Sequence, residues 1–289
     1  MEPTPSVSVI VPFHNPGAYF ATLLGSLAAQ RCQRVWELVL VDNRSTDDSR
    51  QLAERWAGPA PSLVVDASAR AGPSYARNVG VKAARGHRLV FVDADDGVDP
   101  GYVESMDRAL DDHQLVTSQV DSASLNAPWV RSAHGVPWQN TGVDVMFGFL
   151  PAAGANIGVQ RGLFERLGGF SERFAASEDI AFCWTAKLQA GVTPHFVAEA
   201  RYLYRYRDSL PGLLKQGVRW GRASVQLYAV FRAFGMPPRR PSLALHEAGA
   251  LAAGLWRASD RAGAAPYVVR LGVGLGRLAG SLTEGVWFV

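Results

Sequence analysis

Three features of the sequence predict an α/β fold, with a mainly parallel central sheet flanked by helices and a helical C-terminal extension. First, the apolar runs Val7–Val11, Trp36–Val41, Leu63–Val65 and Leu89–Val92 have the length of strands and lack the alternation of a half-exposed sheet. Second, helical patterns lie between them, near Ala18–Gln30 and Gly72–Arg85, so strand and helix alternate as in a doubly wound sheet. Third, Ala244–Ala258 and Tyr267–Leu282 are rich in Ala, Gly and Leu with arginines interspersed, which reads as helix appended to that sheet.

Each element has a local reason. Val7–Val11 ends at Pro12, which cannot donate to a ladder. Leu23, Leu24 and Leu27 share one side of the first helix. The second strand runs into Asp42-Asn43-Arg44-Ser45-Thr46-Asp47-Asp48, where Ser45 or Thr46 is expected to cap a helix with Asp47 and Asp48 in its first turn. Gly72-Pro73-Ser74 opens the next helix. Between Leu115 and Leu150 no clear periodicity is visible, although Trp129 and Trp138 offer rings for stacking or for covering a core.

Composition narrows the function. Of 289 residues, 48% are hydrophobic and 19% charged, which is ordinary globular material. Cys32 and Cys183 form no C-x-x-C, and the six histidines lack metal-ligand spacing. The polar, proline-containing stretch Met1–Ser6 is no signal peptide, and no apolar run is long enough to span a bilayer, so a cytoplasmic protein is expected. Charge is unevenly spread. From Arg201 onward there are 13 Lys+Arg against 4 Asp+Glu, whereas the first 200 residues hold 16 against 22. The basic helices could lie on the inner face of an anionic membrane, pack on the sheet domain or form a homodimer contact; no nucleic-acid partner is expected.

The chemistry concentrates in Leu89-Val90-Phe91-Val92-Asp93-Ala94-Asp95-Asp96-Gly97. A buried strand that runs into three carboxylates places them at the sheet edge where open α/β folds bind ligands. Crowded carboxylates repel unless a cation lies among them, and Mn²⁺ or Mg²⁺ suits all-oxygen ligands that also meet substrate phosphates. The turn after the first strand is Pro12-Phe13-His14-Asn15-Pro16, with no G-x-G-x-x-G; the chain also lacks a P-loop and a G-x-S-x-G elbow. A bound diphosphate would therefore need neutralising elsewhere, which the acidic turn with a metal can do. Asp42 could accept hydrogen bonds from a base or ribose, His14 could offer a flat ring, and Arg77 could fork onto phosphate oxygens.

In order along the chain, Val-Ile-Val-Pro-Phe-His-Asn, Val-Asp-Asn-Arg-Ser-Thr-Asp-Asp-Ser, Ala-Arg-Asn-Val-Gly and Val-Asp-Ala-Asp-Asp resemble family 2 glycosyltransferases of the Rossmann-like GT-A fold. The resemblance continues through Gly154–Arg161 and Gly168-Gly169-Phe170 to Ser177-Glu178-Asp179, covering roughly residues 6 to 225. It implies a metal-dependent, inverting transfer of a sugar from a nucleotide-sugar, with UDP the expected nucleotide, to an acceptor hydroxyl or amine. The acceptor could be a saccharide, a lipid-linked saccharide or a secondary metabolite. Pro12, His14 and Asn15 would line the base pocket, with His14 replacing the more usual tyrosine. Asp42 and Arg77 would hold the nucleotide. Asp93, Ala94 and Asp95 match the D-x-D, with Asp95 the expected metal ligand, Asp93 towards the ribose and Asp96 of open duty. Asp179 matches the catalytic base, with Glu178 its rival and Asn156 a further candidate. Gln216, Arg219 and Trp220 match Q-x-x-R-W, which helps hold acceptor and diphosphate in processive members.

The resemblance also implies a division of the chain. Residues 1–115 would form the nucleotide-sugar-binding half of the domain, 116–205 its acceptor-binding and catalytic half, and 206–289 the helical extension. Two other readings compete with it. A haloacid-dehalogenase-like phosphatase also has a D-x-D strand, but places it first and carries Thr or Val where Gly97 stands. A non-catalytic scaffold of the same fold would have no need of Asp42, Asp95 and Asp179.

Overall fold

The computed structural model describes residues 4–134, 156–174, 176–254 and 259–289. Their strands are β1 (Val7–Phe13), β2 (Trp36–Asp42), β3 (Ser62–Asp66), β4 (Arg88–Phe91), β5 (Gly97–Val98), β6 (Leu115–Asp121), β7 (Ile157–Gln160) and β8 (His195–Leu203). They form one sheet in the order β3-β2-β1-β4-β7-β6-β8-β5. The β3-β2-β1-β4 half is parallel, β7 runs antiparallel to both β4 and β6, and β8 is parallel to β6. The helices are α1 (Tyr19–Ala28), α2 (Ser49–Glu54), α3 (Pro73–Ala83), α4 (Tyr102–Asp112), α5 (Pro128–His134), α6 (Arg161–Arg166), α7 (Glu178–Ala190), α8 (Leu210–Phe231), α9 (Pro241–Gly254) and α10 (Arg261–Glu284).

The described parts fall into two compact units. The first draws on Met1–Asp121, Trp138–Arg173 and Glu178–Arg205; the second on Ser122–Pro137, Phe174–Ser177 and Tyr206–Val289. In the first unit the period-2 geometry of the strands feeds two cores. Val7, Val9, Val11, Leu38, Leu40, Val90 and Val92 pack on one face with α1 and α4. Ile10, Val39, Val41, Leu89 and Phe91 pack on the other with α3, α6 and α7. The continuous apolar runs of β1, β2 and β4 are this two-sided burial, whereas Leu63–Val65 lies in the edge strand β3, where Leu63 is exposed and Val64 and Val65 are half-buried.

Gly80 shows how tightly α3 sits on the sheet. A Cβ there would come within 2.7 Å of Ile10 and 2.8 Å of Val41 side chains. The C-terminal end of α3 is closed by Arg161, whose guanidinium donates to the carbonyls of Val81, Ala84 and Gly86. At the N-terminal edge of the sheet, the fully buried carboxylate of Asp107 takes hydrogen bonds from Arg88, Arg34 and Ser6. The opposite edge holds the candidate site.

In the second unit α8 and α10 meet backbone to backbone. A Cβ on Gly221 would lie 2.2 Å from the Val273 carbonyl oxygen, and one on Gly276 2.2 Å from that of Val218. Both helices start on side-chain caps, with Ser209 accepting from the Gly212 amide and Asp260 from that of Gly263. Leu213, Ala265 and Val269 form the buried centre, with Trp129 and Trp220 packed against it. Trp129 thus covers a core, and Arg261 lies 5.0 Å above its ring. Trp138 falls outside the described residues.

Three sequence expectations need correcting. Leu115–Asp121 is the ordered strand β6 and Pro128–His134 the helix α5, so this stretch is not wholly irregular. Neither Ser45 nor Thr46 caps a helix: α2 begins only at Ser49, because Asp47 holds the loop before it by accepting from the Ser49 and Gly17 amides. The last helix starts at Arg261, six residues ahead of Tyr267, where Asp260 supplies the cap.

Candidate active site

Parallel pairing brings the ends of three strands to one edge. Phe13 lies opposite Asp42, and Ile10 opposite Phe91, so the turn after β4 emerges beside the ends of β1 and β2. Each of Asp93, Asp95 and Asp96 can offer one carboxylate oxygen such that all three lie within 4.8 Å of one another. This is the one such acidic group among the described residues.

The three carboxylates are held differently. Asp96 is 1% exposed; it accepts from the Tyr202 hydroxyl at 2.7 Å and from the Arg205 amide at 2.7 Å. Burial first, then the charges of Asp95 and Asp93, push its acid well above the usual carboxylate range. Asp93 is partly exposed and accepts from Arg77 at 2.6 Å, while its amide donates to the Tyr202 oxygen at 3.0 Å. Asp95 is also partly exposed, and its carbonyl accepts from the Arg205 guanidinium at 2.9 Å. Ala94 between them is buried. The donor set is all oxygen, with the carboxylates of Asp93 and Asp95 partly exposed beside the buried Asp96, and so fits a hard divalent cation such as Mn²⁺ or Mg²⁺. Asp95 and the second oxygen of Asp93 are the groups best placed to hold one.

Arg77 is the hinge pin of the site. It is 3% exposed, and its guanidinium bridges Asp93 on one side and Glu178 on the other. The two charges keep it fully cationic despite burial. The sequence suggested a fork onto phosphate oxygens; the structure turns that fork onto two carboxylates. Glu178 and Asp179 open α7, and both are nearly buried. Ser177, just before them, has φ +61° and does not adopt the extended backbone of an ordinary N-cap.

On the β1 and β2 side, side chains build the rim. Asp42 accepts from the Ser45 amide at 2.9 Å and lies 3.5 Å from Arg50. The exposed His14 meets the Asn43 carbonyl at 2.9 Å through Nδ1, which donates to that oxygen. Asn15, at φ +48°, takes the Thr46 and Asp47 amides on its side-chain oxygen. Pro12 is buried at the end of β1. Asn43 clamps the far loop, donating to the Ala67 and Arg70 carbonyls and accepting from the Gly72 amide.

Asn156 lies away from any open surface. Its amide bonds Ser118 and Tyr102 in the core with no exposure, so it holds β6 to the start of β7. Gly154 and Ala155, in the same motif, fall outside the described residues. Gln216, Arg219 and Trp220 lie on α8 of the second unit, where Trp220 meets the His134 ring edge-on. Sequence reasoning missed Tyr202 and Arg205 as partners of the acidic turn. The repeated Tyr and Arg of Tyr202-Leu203-Tyr204-Arg205-Tyr206-Arg207 was the available signal.

An open α/β sheet whose C-terminal edge carries a D-x-D-D turn has an acidic, cation-suited centre where such folds receive their ligands. Residues 8–168 match glycosyl transferase family 2, and residues 89–273 match glycosyl transferase family group 2. The chain belongs to family 2 of the glycosyltransferases. It is 37% identical over 145 residues to the uncharacterized glycosyltransferase YibD of Escherichia coli, covering 50% of this chain and 40% of YibD. It is 36% identical over 109 residues to the putative glycosyltransferase EpsH of Bacillus subtilis, covering 38% of this chain and 31% of EpsH. The matched region thus spans less than half the length of either relative. Among solved structures, mannosyltransferase PcManGT from Pyrobaculum calidifontis, in complex with GDP-Man and Mn²⁺, superposes with a TM-score of 0.62 at 20% identity, covering 98% of this chain and 88% of that one. Staphylococcus aureus TarS 1-349 in complex with UDP-GlcNAc gives 0.56 at 18% identity, covering 98% and 93%. Both carry the same fold.

Proposed function

We propose that the protein is a metal-dependent, inverting glycosyltransferase that moves a sugar from a nucleotide-sugar, with a UDP-sugar first in line, to an acceptor hydroxyl or amine. The observation that carries this reading is the Arg77 bridge. It ties the D-x-D turn to the first turn of α7, so the carboxylates suited to a metal and the acid pair suited to a base share one edge. The UDP-GlcNAc on TarS and the GDP-Man and Mn²⁺ on PcManGT support a nucleoside diphosphate donor and a divalent cation for this fold.

Each residue has a task in this reading. His14 and Asn15 border the base, Pro12 backs it, and Asp42 shapes the loop that receives base and ribose. Asp95, with the free oxygen of Asp93, would hold Mn²⁺ or Mg²⁺. When bound, the cation supplies positive charge for a departing diphosphate. Asp96 and Tyr202 keep the turn in shape. Asp179 would relieve the acceptor of its proton as its oxygen or nitrogen attacks the anomeric carbon; general-base help of this kind is worth about 10²–10⁴-fold. Glu178, already paired with Arg77, is the weaker candidate for that proton.

Thermal shift tests the binding half. UDP with Mn²⁺ should raise the melting temperature, since a ligand at a hundred times its Kd adds about 2.7 kcal/mol. Asp95→Asn should abolish the metal-dependent part of that rise. Asp179→Asn should keep the shift while sugar transfer or donor hydrolysis falls by about 10² or more. No shift with any nucleoside diphosphate, or full turnover in Asp179→Asn, would reject the respective assignment.

A further inference from the structure

We infer that the second unit docks on an anionic lipid surface through the outward face of α10. Leu271, Leu275, Leu278 and Leu282 succeed one another at steps of four, three and four residues, so they fall on one stripe of the helix. All four are exposed, from 44% at Leu278 to 76% at Leu282. The other side of the helix is the one in use: a Cβ on Gly272 or Gly276 would collide with the α8 backbone, and one on Gly280 would press on Val225 at 3.0 Å. Just past α10, which ends at the left-handed Gly285, stands Trp287 at 69% exposure.

Single exposed leucines are normal on a soluble surface, but four in register on one helix are an organised apolar face. No described helix is long and apolar enough to cross a bilayer, so this face can lie along a membrane but not enter as a span. An exposed indole just past the end of the helix suits the boundary between headgroups and acyl chains.

Charge selects the occupant. From residue 206 to the C-terminus there are 11 Lys+Arg against 4 Asp+Glu, a surplus of seven positive charges. The exposed Arg270 directly precedes Leu271 and borders the stripe. Two copies meeting through this face would bring like surpluses together, whereas anionic headgroups neutralise them. This inference needs no sugar transfer to be true.

Cosedimentation with sucrose-loaded vesicles tests it. The full chain should pellet with phosphatidylcholine vesicles containing about 30% phosphatidylglycerol and stay in solution with phosphatidylcholine alone, and high salt should weaken binding severalfold. Leu275→Asp with Leu282→Asp should lower the partition coefficient about a hundredfold or more, since two buried leucines are lost, while circular dichroism and melting temperature stay unchanged. Arg270→Glu, which leaves every leucine in place, should lower it severalfold. Equal binding to uncharged vesicles, full binding by the double variant, or a dimer in light scattering that the same substitutions dissociate would overturn the inference.

Discussion

Replacing Arg77 by methionine isolates what the bridge contributes. The side chain keeps its length and packing but loses the charge, which leaves Glu178 and Asp93 facing each other without their cation. Arg77 and Glu178 side chains are 4% and 7% exposed, and Asp93 30%. Water can relieve Asp93 in part, but hardly Glu178. Removing one partner from a buried ion pair costs about 3–5 kcal/mol, because the other charge stays buried and unpaired. For a unit of this size, about 2–4 °C of melting temperature accompanies each kcal/mol, so a fall of roughly 6–20 °C is expected. Urea denaturation of the ligand-free protein, followed by circular dichroism, measures it directly. Arg77→Met combined with Glu178→Gln should recover at least about 1 kcal/mol of the loss, since the orphaned charge is gone. A ligand-free Arg77→Met protein within about 1 kcal/mol of the parent, or losses that simply add in the double variant, would refute the bridge and return Arg77 to a nucleotide-only contact.

Two further outcomes follow from the second unit. Gly221→Ala should destabilise it by at least about 1 kcal/mol despite the better helix propensity of alanine, because the new Cβ meets the Val273 carbonyl at 2.2 Å; an unchanged or higher urea midpoint would show that α8 and α10 can part freely. Burial lowers the His134 imidazole, stacked 3.9 Å from Tyr206, to about 4. The unfolded chain therefore binds the extra proton first. The corresponding stability is fully present above about pH 6.5 and is lost as pH falls from there towards 4, by at most about 1.4 kcal/mol per pH unit. His134→Phe should flatten that slope in urea titrations at pH 7, 6 and 5, and an unaltered slope would place the titrating group elsewhere.

In the first half of the fold β1, β2 and β4 were legible because they are buried on both sides. Val7–Val11 and Trp36–Val41 need no partner to be recognised, since each is an apolar run closed by a turn residue. Leu115–Asp121 was not, because Thr117, Ser118 and Gln119 interrupt the run. Ser118 is as buried as any valine, but its hydroxyl is satisfied by Asn156, a partner 38 residues away. The same limit governs the site. A strand ending in D-x-D-D is a local signal and could be read. Arg77 meets Asp93 16 residues away and Glu178 101 residues away, and local spacing carries neither pairing. Sequence therefore pointed to Arg77 as a candidate for phosphate contact, and its two carboxylate partners come from the fold. Asn156 belonged to a recognised motif yet sits in the core, since a motif records that an amide is needed without saying which way it faces.

Asn43 and Asn78 have a consequence beyond the loops they close. Each amide replaces a missing rung of backbone pairing: Asn43 fastens the chain between Ala67 and Gly72, and Asn78 exchanges two hydrogen bonds with Phe170. The edge of the sheet facing the ligand is thus moulded by side chains, while the strands behind it are fixed by their own ladder. Such a rim can be reshaped one residue at a time without disturbing the sheet, so a change in what this edge receives can be sought among the loop residues between these two clamps.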